Sequence, residues 1–91
     1  VPSPPMPLEP GAAVAYVFRG HGRERAGDGD GAEADYTTAI GIDLACHLAY
    51  FARGGLRYSR DERTAALEDL DAAVRIRPDH ALSFELRSFI R

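Results

Sequence analysis

A chain of 91 residues has room for one domain, and its 14 acidic against 11 basic residues, a net charge of −3, exclude a broad electrostatic hold on nucleic acid. No apolar stretch approaches the roughly 20 residues needed to cross a bilayer, so no membrane partner is expected. Cys46 is the single cysteine and cannot close an internal disulfide; the first residues also lack the basic start and apolar centre of a secretory signal, so the expected setting is cytoplasmic.

Residues 1–11 carry five of the six prolines (Pro2, Pro4, Pro5, Pro7, Pro10), which remove backbone donors and favour an extended path. They read as a proline-rich tail or linker ahead of a helical domain over 12–91. From Ala12 onward apolar residues recur at helical spacing, and no segment alternates as a half-buried strand would. Five helices are predicted, over 12–26, 31–43, 47–59, 62–76 and 80–91. Between the first two, Asp30 is placed to cap a helix, with Glu33 three residues later to reach back toward its first amide. Ser59 followed by Glu62 offers a second capping box. Pro78 ends the fourth helix, and Asp79 can cap the fifth.

Sliding the chain along itself by 34 residues pairs Ala15 with Ala49, Tyr16 with Tyr50, Arg19 with Arg53, Gly20 with Gly54 and Arg23 with Arg57. The match runs on through Ala32 with Ala66, Asp35 with Asp69, Ala39 with Ala73 and Ile42 with Ile76. These identities need no gap and exceed the roughly three that such a composition gives by chance, and a period of that length marks a repeat. Tyr16, Gly20, Ala32, Tyr36 and Ala39, then Tyr50, Gly54, Ala66, Leu70, Ala73 and Pro78, then Phe84 and Ser88, resemble the tetratricopeptide repeat (TPR) family. The likeness covers two repeats and a final helix over residues 13–91. Leu44 stands where the first repeat would have its proline, and Arg23 and Arg57 stand where an aromatic is usual.

The resemblance implies an all-α fold: antiparallel helical hairpins stacked in a right-handed superhelical array of about five helices, the last acting as a cap. It also implies that the first helix of each hairpin lines a concave groove that receives a peptide or helix of a partner. On this sequence the groove face is Val14, Val17, Phe18, His21 and Arg25, then Leu48, Phe51, Ala52, Gly55 and Tyr58, then Leu82, Glu85, Leu86 and Phe89. Some members hold a chaperone's C-terminal carboxylate with Lys and Asn on this face. Here the matching positions Val17, Phe51 and Ala52 are apolar and His21 stands in an Asn position, so that clamp is absent.

The residues expected to bind peptide are therefore Val14, Val17, Phe18, His21, Leu48, Phe51, Tyr58, Leu86 and Phe89, either toward an apolar segment of a protein partner or toward a second copy in a homo-oligomer. The bland reading of the aromatics is internal packing. Arg19, Arg53 and Arg87 recur together with Asp35 and Asp69, and a ladder of structural ion pairs is expected of them. The run GDGDGAE over 27–33 resembles a calcium loop but has Ala32 at the third ligand position, so it reads as a turn. Cys46 and His47 are adjacent, with His21 and His80 distant in sequence. No zinc spacing, catalytic cluster or phosphate-cradling loop is visible, so neither enzymatic activity nor a metal or other cofactor is expected. The first repeat is rich in glycine, at 20, 22, 31 and 41. So short an array is expected to belong to a longer protein or to associate.

Overall fold

The structure, a computed structural model, describes residues 9–91. Residues 1–8, most of the proline-rich segment, lie outside the described residues. A 3-10 turn at Pro10–Ala12 leads into five helices: α1 (Ala13–Arg25), α2 (Gly29–Ile42), α3 (His47–Ser59), α4 (Arg63–Ile76) and α5 (Ala81–Ile90). Among the described residues there is no strand, and each helix bound falls within two residues of its expected place. The helices pair as hairpins, α1 on α2 and α3 on α4; α2 also packs against α3 and α4 against α5, and α1 touches α3. The fold is the expected all-α stack of hairpins.

Each hairpin closes where a glycine faces a large side chain. A Cβ on Gly20 would stand 2.7 Å from Tyr36 Cε1 and 3.1 Å from the Ala32 carbonyl oxygen; one on Gly54 would stand 3.0 Å from Leu70 Cγ and 3.3 Å from the Ala66 carbonyl oxygen. The paired backbones come this close because nothing projects between them. Tyr36 and Leu70 then fill the space beside the contact, and they are fully buried together with Ala32, Ala39, Ala66 and Ala73. Stacking completes the burial. Ala49 of α3 is buried against the preceding hairpin, whereas its counterpart Ala15 in α1 is exposed.

The expected ion pairs form, and on both hairpins they have the same geometry. Arg19 Nε and Nη2 donate to the two carboxylate oxygens of Asp35 at 2.9 and 2.7 Å, and Arg53 does the same to Asp69 at 2.9 and 2.8 Å. Arg23 and Arg57, one turn on, donate to the same carboxylates at 3.2 and 3.0 Å. Asp35 and Asp69 are only 2% and 3% exposed, so each buried charge is held by a forked guanidinium plus a second arginine. The guanidinium carbons of Arg19, Arg53 and Arg87 also lie 5.2, 5.8 and 5.5 Å from the ring centres of Tyr16, Tyr50 and Phe84.

The helix starts depart from expectation because the expected caps are engaged elsewhere, three of the acidic side chains by arginines. Asp28 caps α2, its Oδ1 accepting from the Gly31 amide at 2.9 Å, and the helix begins two residues earlier than Asp30 would have allowed. Asp30 instead accepts from Arg60 at 2.9 Å, and Glu33 accepts from Arg57 at 3.1 Å rather than reaching back. Asp79 is bonded to Arg77 at 2.9 Å, and His80 caps α5 by accepting from the Ser83 amide at 3.3 Å. Ser59 turns to the Leu56 carbonyl at 2.6 Å, leaving α4 without a side-chain cap. Gly27 and Asp61 both take a left-handed conformation, φ 89° and 61°, at equivalent positions in the two hairpin turns.

Two comparisons of variants test this packing. Gly20→Ala should lower stability by roughly 1–3 kcal/mol, because the added methyl meets the buried Tyr36 ring. Gly22→Ala, where a Cβ meets nothing within 4 Å, should raise stability by about 1 kcal/mol through helix propensity. In the second comparison, Asp69→Asn should cost about 3 kcal/mol by leaving Arg53 without a carboxylate and Arg57 with Glu33 alone, and Asp35→Asn should cost less because Arg19 and Arg23 are more exposed. Urea unfolding followed by circular dichroism measures all four.

Candidate functional site

The helical repeat puts two kinds of residue on each first helix. On α1, Tyr16, Arg19, Gly20 and Arg23 (steps of three and four) face α2, and Val17, His21 and Glu24 form a neighbouring stripe. That second stripe meets α3 across an open cleft of about 350 Å³. Val17, Phe18 and His21 line it from α1, and Leu48, Phe51, Ala52 and Gly55 line it from α3; Tyr36 of α2, Glu24 and Leu56 complete it. The lining is almost wholly apolar, and Phe18, 69% exposed, offers its ring to solvent at the cleft.

Five of the residues expected to bind peptide are thus brought together: Val17, Phe18, His21, Leu48 and Phe51. The other four lie elsewhere. Val14 is exposed but outside the cleft lining, and Tyr58 and Phe89 meet edge to face at 6.2 Å between α3 and α5. Leu86 packs against the cluster of Ala66, Leu70 and Ile90. Phe18 and Phe89 are largely exposed and are not core residues, while Phe51 and Leu86 are half-buried.

Glu24, Tyr36 and Leu56 belong to the cleft and were not expected there. The signal for Glu24 is present in the sequence, since Val17, His21 and Glu24 follow the i, i+4, i+7 rule. Tyr36 reads as filler of the hairpin because its repeat counterpart is Leu70; only the structure shows that it also lines the cleft. Its hydroxyl donates to Glu24 Oε1 at 2.8 Å. Burial, then that hydrogen bond, pushes the Tyr36 phenol well above the usual tyrosine range, so it stays protonated and Glu24 keeps its donor.

His80, distant in sequence, comes beside His47 (ring centres 4.9 Å) and Phe51 (5.2 Å). Burial, then the neighbouring His80, holds the His47 imidazole below the usual histidine range, and the two rings pack edge to face beside the cleft wall. Cys46 is buried, and burial pushes its thiol up, away from the thiolate that a nucleophile needs. Two carboxylates of the GDGDGAE turn are already engaged, Asp28 as a cap and Asp30 with Arg60. Among the described residues, no group of three or more His, Cys, Asp or Glu side chains stands where it could hold a metal ion, and no helix is long and apolar enough to cross a membrane.

No protein-family model matches the chain, and no curated protein does either.

The Tyr36 hydroxyl sets a pH dependence with a definite sign. A phenol whose ionisation is raised on folding contributes stability that is complete below its unfolded value, about 10, and is lost as the pH rises toward the folded one. Stability should therefore fall above about pH 10, and Tyr36→Phe should make that fall shallower while costing about 1 kcal/mol at neutral pH. Urea midpoints measured across alkaline pH test it.

Proposed function

We propose that the chain is a tetratricopeptide-type interaction module without catalytic activity, which binds an apolar segment of a partner protein in the cleft between α1 and α3. One observation carries this reading: the repeat turns Val17, Phe18, Leu48 and Phe51 toward one another around an unfilled apolar space, with the Phe18 ring exposed beside it. A soluble surface keeps such a patch at a cost in solubility, and a partner that covers it recovers the apolar burial, about 25 cal/mol per Å². Two or three side chains seated in the cleft, less the cost of ordering the peptide, give a dissociation constant on the order of micromolar.

His21 and Glu24 supply the polar edge. Glu24 is already paired with the Tyr36 hydroxyl, so selectivity rests on shape and apolar contact more than on charge. Several other features agree with binding rather than chemistry. The buried carboxylates are locked by arginines, the thiol is buried, and His80 is packed between His47 and Phe51. The cytoplasm, where Cys46 would stay reduced, is the compartment this reading assigns. In the alternative reading the cleft or the array ends pack against another copy of the chain, favoured by the exposed Leu82 and Phe89 on α5.

Peptide display selection on the wild-type protein provides ligands for the test. Phe51→Glu and Phe18→Glu should each weaken a selected apolar peptide at least about tenfold by placing a charge against apolar contacts, with the helical circular dichroism unchanged. Phe18 is the safer site because its ring is mostly exposed. Selected peptides that bind both variants with wild-type affinity would remove the cleft from the account, and a wild-type dimer dissociated by Phe18→Glu would favour the self-association reading.

A further inference from the structure

Where the turn after α4 meets the start of α3, two imidazoles share a contact that also bears on the cleft. His47 is the first residue of α3 and His80 is the cap of α5, and their rings meet at 70° with centres 4.9 Å apart. His80 stands edge to face with Phe51 as well, at 5.2 Å, and Phe51 lines the cleft. The same His80 ring begins α5. Its Nδ1 lies 2.6 Å from the hydroxyl of Ser83, which is wholly buried, and accepts from the Ser83 amide at 3.3 Å.

This geometry is built for uncharged rings. To accept from the Ser83 amide, His80 Nδ1 needs a free lone pair. A proton there turns the acceptor into a donor and sets a positive charge at the start of α5, an end that the helix dipole already makes positive. His47 stands at the same end of α3, so charge on both rings would place two cations 4.9 Å apart, each at a helix start. The surrounding charges do not offset this. Arg77 and Asp79 face the pair from the turn after α4, but they are bonded to each other at 2.9 and 3.1 Å. The bond to Arg77 holds Asp79 down at about 2, so its charge is constant through the range in which histidine titrates. In the turn before α3, Asp43 accepts from the Ala45 amide at 3.0 Å, and burial keeps Cys46 protonated. Burial, then His80, then Arg77 hold the His47 imidazole below the usual histidine range, with Asp79 opposing. A histidine held below its unfolded value, about 6.5, contributes stability that is complete above that value and is lost as the pH falls toward the folded one.

We propose that the His47–His80 contact is an acid-sensitive junction that regulates the cleft. Protonation of the pair parts the two rings, loosens the first turn of α5 from α3 and takes the His80 ring away from Phe51. The cleft wall then loses its support, so an apolar segment of a partner is held near neutral pH and released in acid. The release rests on the cleft being the binding site, as proposed above, whereas the loosening of the junction does not.

His21 also lines the cleft and titrates on its own account, so every chain compared carries His21→Gln, and the apolar peptide is selected on that chain to contain no His, Asp or Glu. Two quantities are followed with pH: the exchange protection of the amides over 82–85, corrected for intrinsic rates, and the affinity of the peptide by fluorescence anisotropy. Between about pH 7.5 and 5.0, protection should fall at least about fivefold and affinity at least about threefold. His80→Asn, whose side-chain oxygen caps a helix without titrating, and His47→Phe, which keeps a ring, should each flatten both profiles. Protection that is constant with pH overturns the proposal, as does a fall that persists undiminished in both variants. A flattened protection profile with an affinity that never depended on pH overturns the regulation of the cleft. If no peptide is selected at all, the cleft reading fails, and the exchange profiles of the three chains decide the junction alone.

Discussion

Two helix backbones can approach as closely as these only where one of them carries no side chain at the crossing. Gly20 and Gly54 meet that condition, and the Tyr36 ring and the Leu70 side chain occupy the space that a Cβ would need. Much else in the fold follows from this contact. The small residues opposite, Ala32 and Ala66, must stay small, and the arginine just before each glycine is brought within bonding distance of an aspartate three residues beyond that alanine. A buried carboxylate is tolerated there because the close approach brings two guanidinium groups to it.

The same helices then carry a second task without conflict. In α1 the residues that face α2 and those that face the cleft are separated by rotation around one axis, so hairpin closure leaves the cleft stripe free. Tyr36 links the two. It fills the hairpin beside Gly20, reaches the cleft lining, and ties Glu24 of α1 to α2 through its hydroxyl. α5 has both stripes as well, and residues of each are exposed on it, Phe84 on one and Leu82 and Phe89 on the other.

The period of 34 made the hairpins legible, because the residues repeated at Arg19 and Arg53 or Gly20 and Gly54 take equivalent places in the two hairpins. The helix starts were less legible. Capping is a competition: Asp30 and Glu33 were claimed by Arg60 and Arg57, partners that local sequence does not reveal, and Asp79 by Arg77 two residues before it. In the cleft, the resemblance to the repeat family marked residues of the α1 and α3 walls. It could not find Tyr36, which belongs to a different helix, and it could not show that Tyr58 and Phe89 would pair with each other farther along the stack. Among the glycines the repeat already sets Gly20 apart by pairing it with Gly54, and the structure adds that Gly22 faces open space.

The direct measurement of the central contact is a double-mutant cycle between Gly20→Ala and Tyr36→Leu, read by urea unfolding. Leucine is what the second hairpin uses beside its own glycine, so it retains the apolar filling while withdrawing the ring edge. The account predicts that alanine at position 20 costs substantially less when Tyr36 is already leucine, a coupling on the order of 1 kcal/mol. Strict additivity of the two substitutions would contradict it, because the methyl and the ring would then not be competing for the same space.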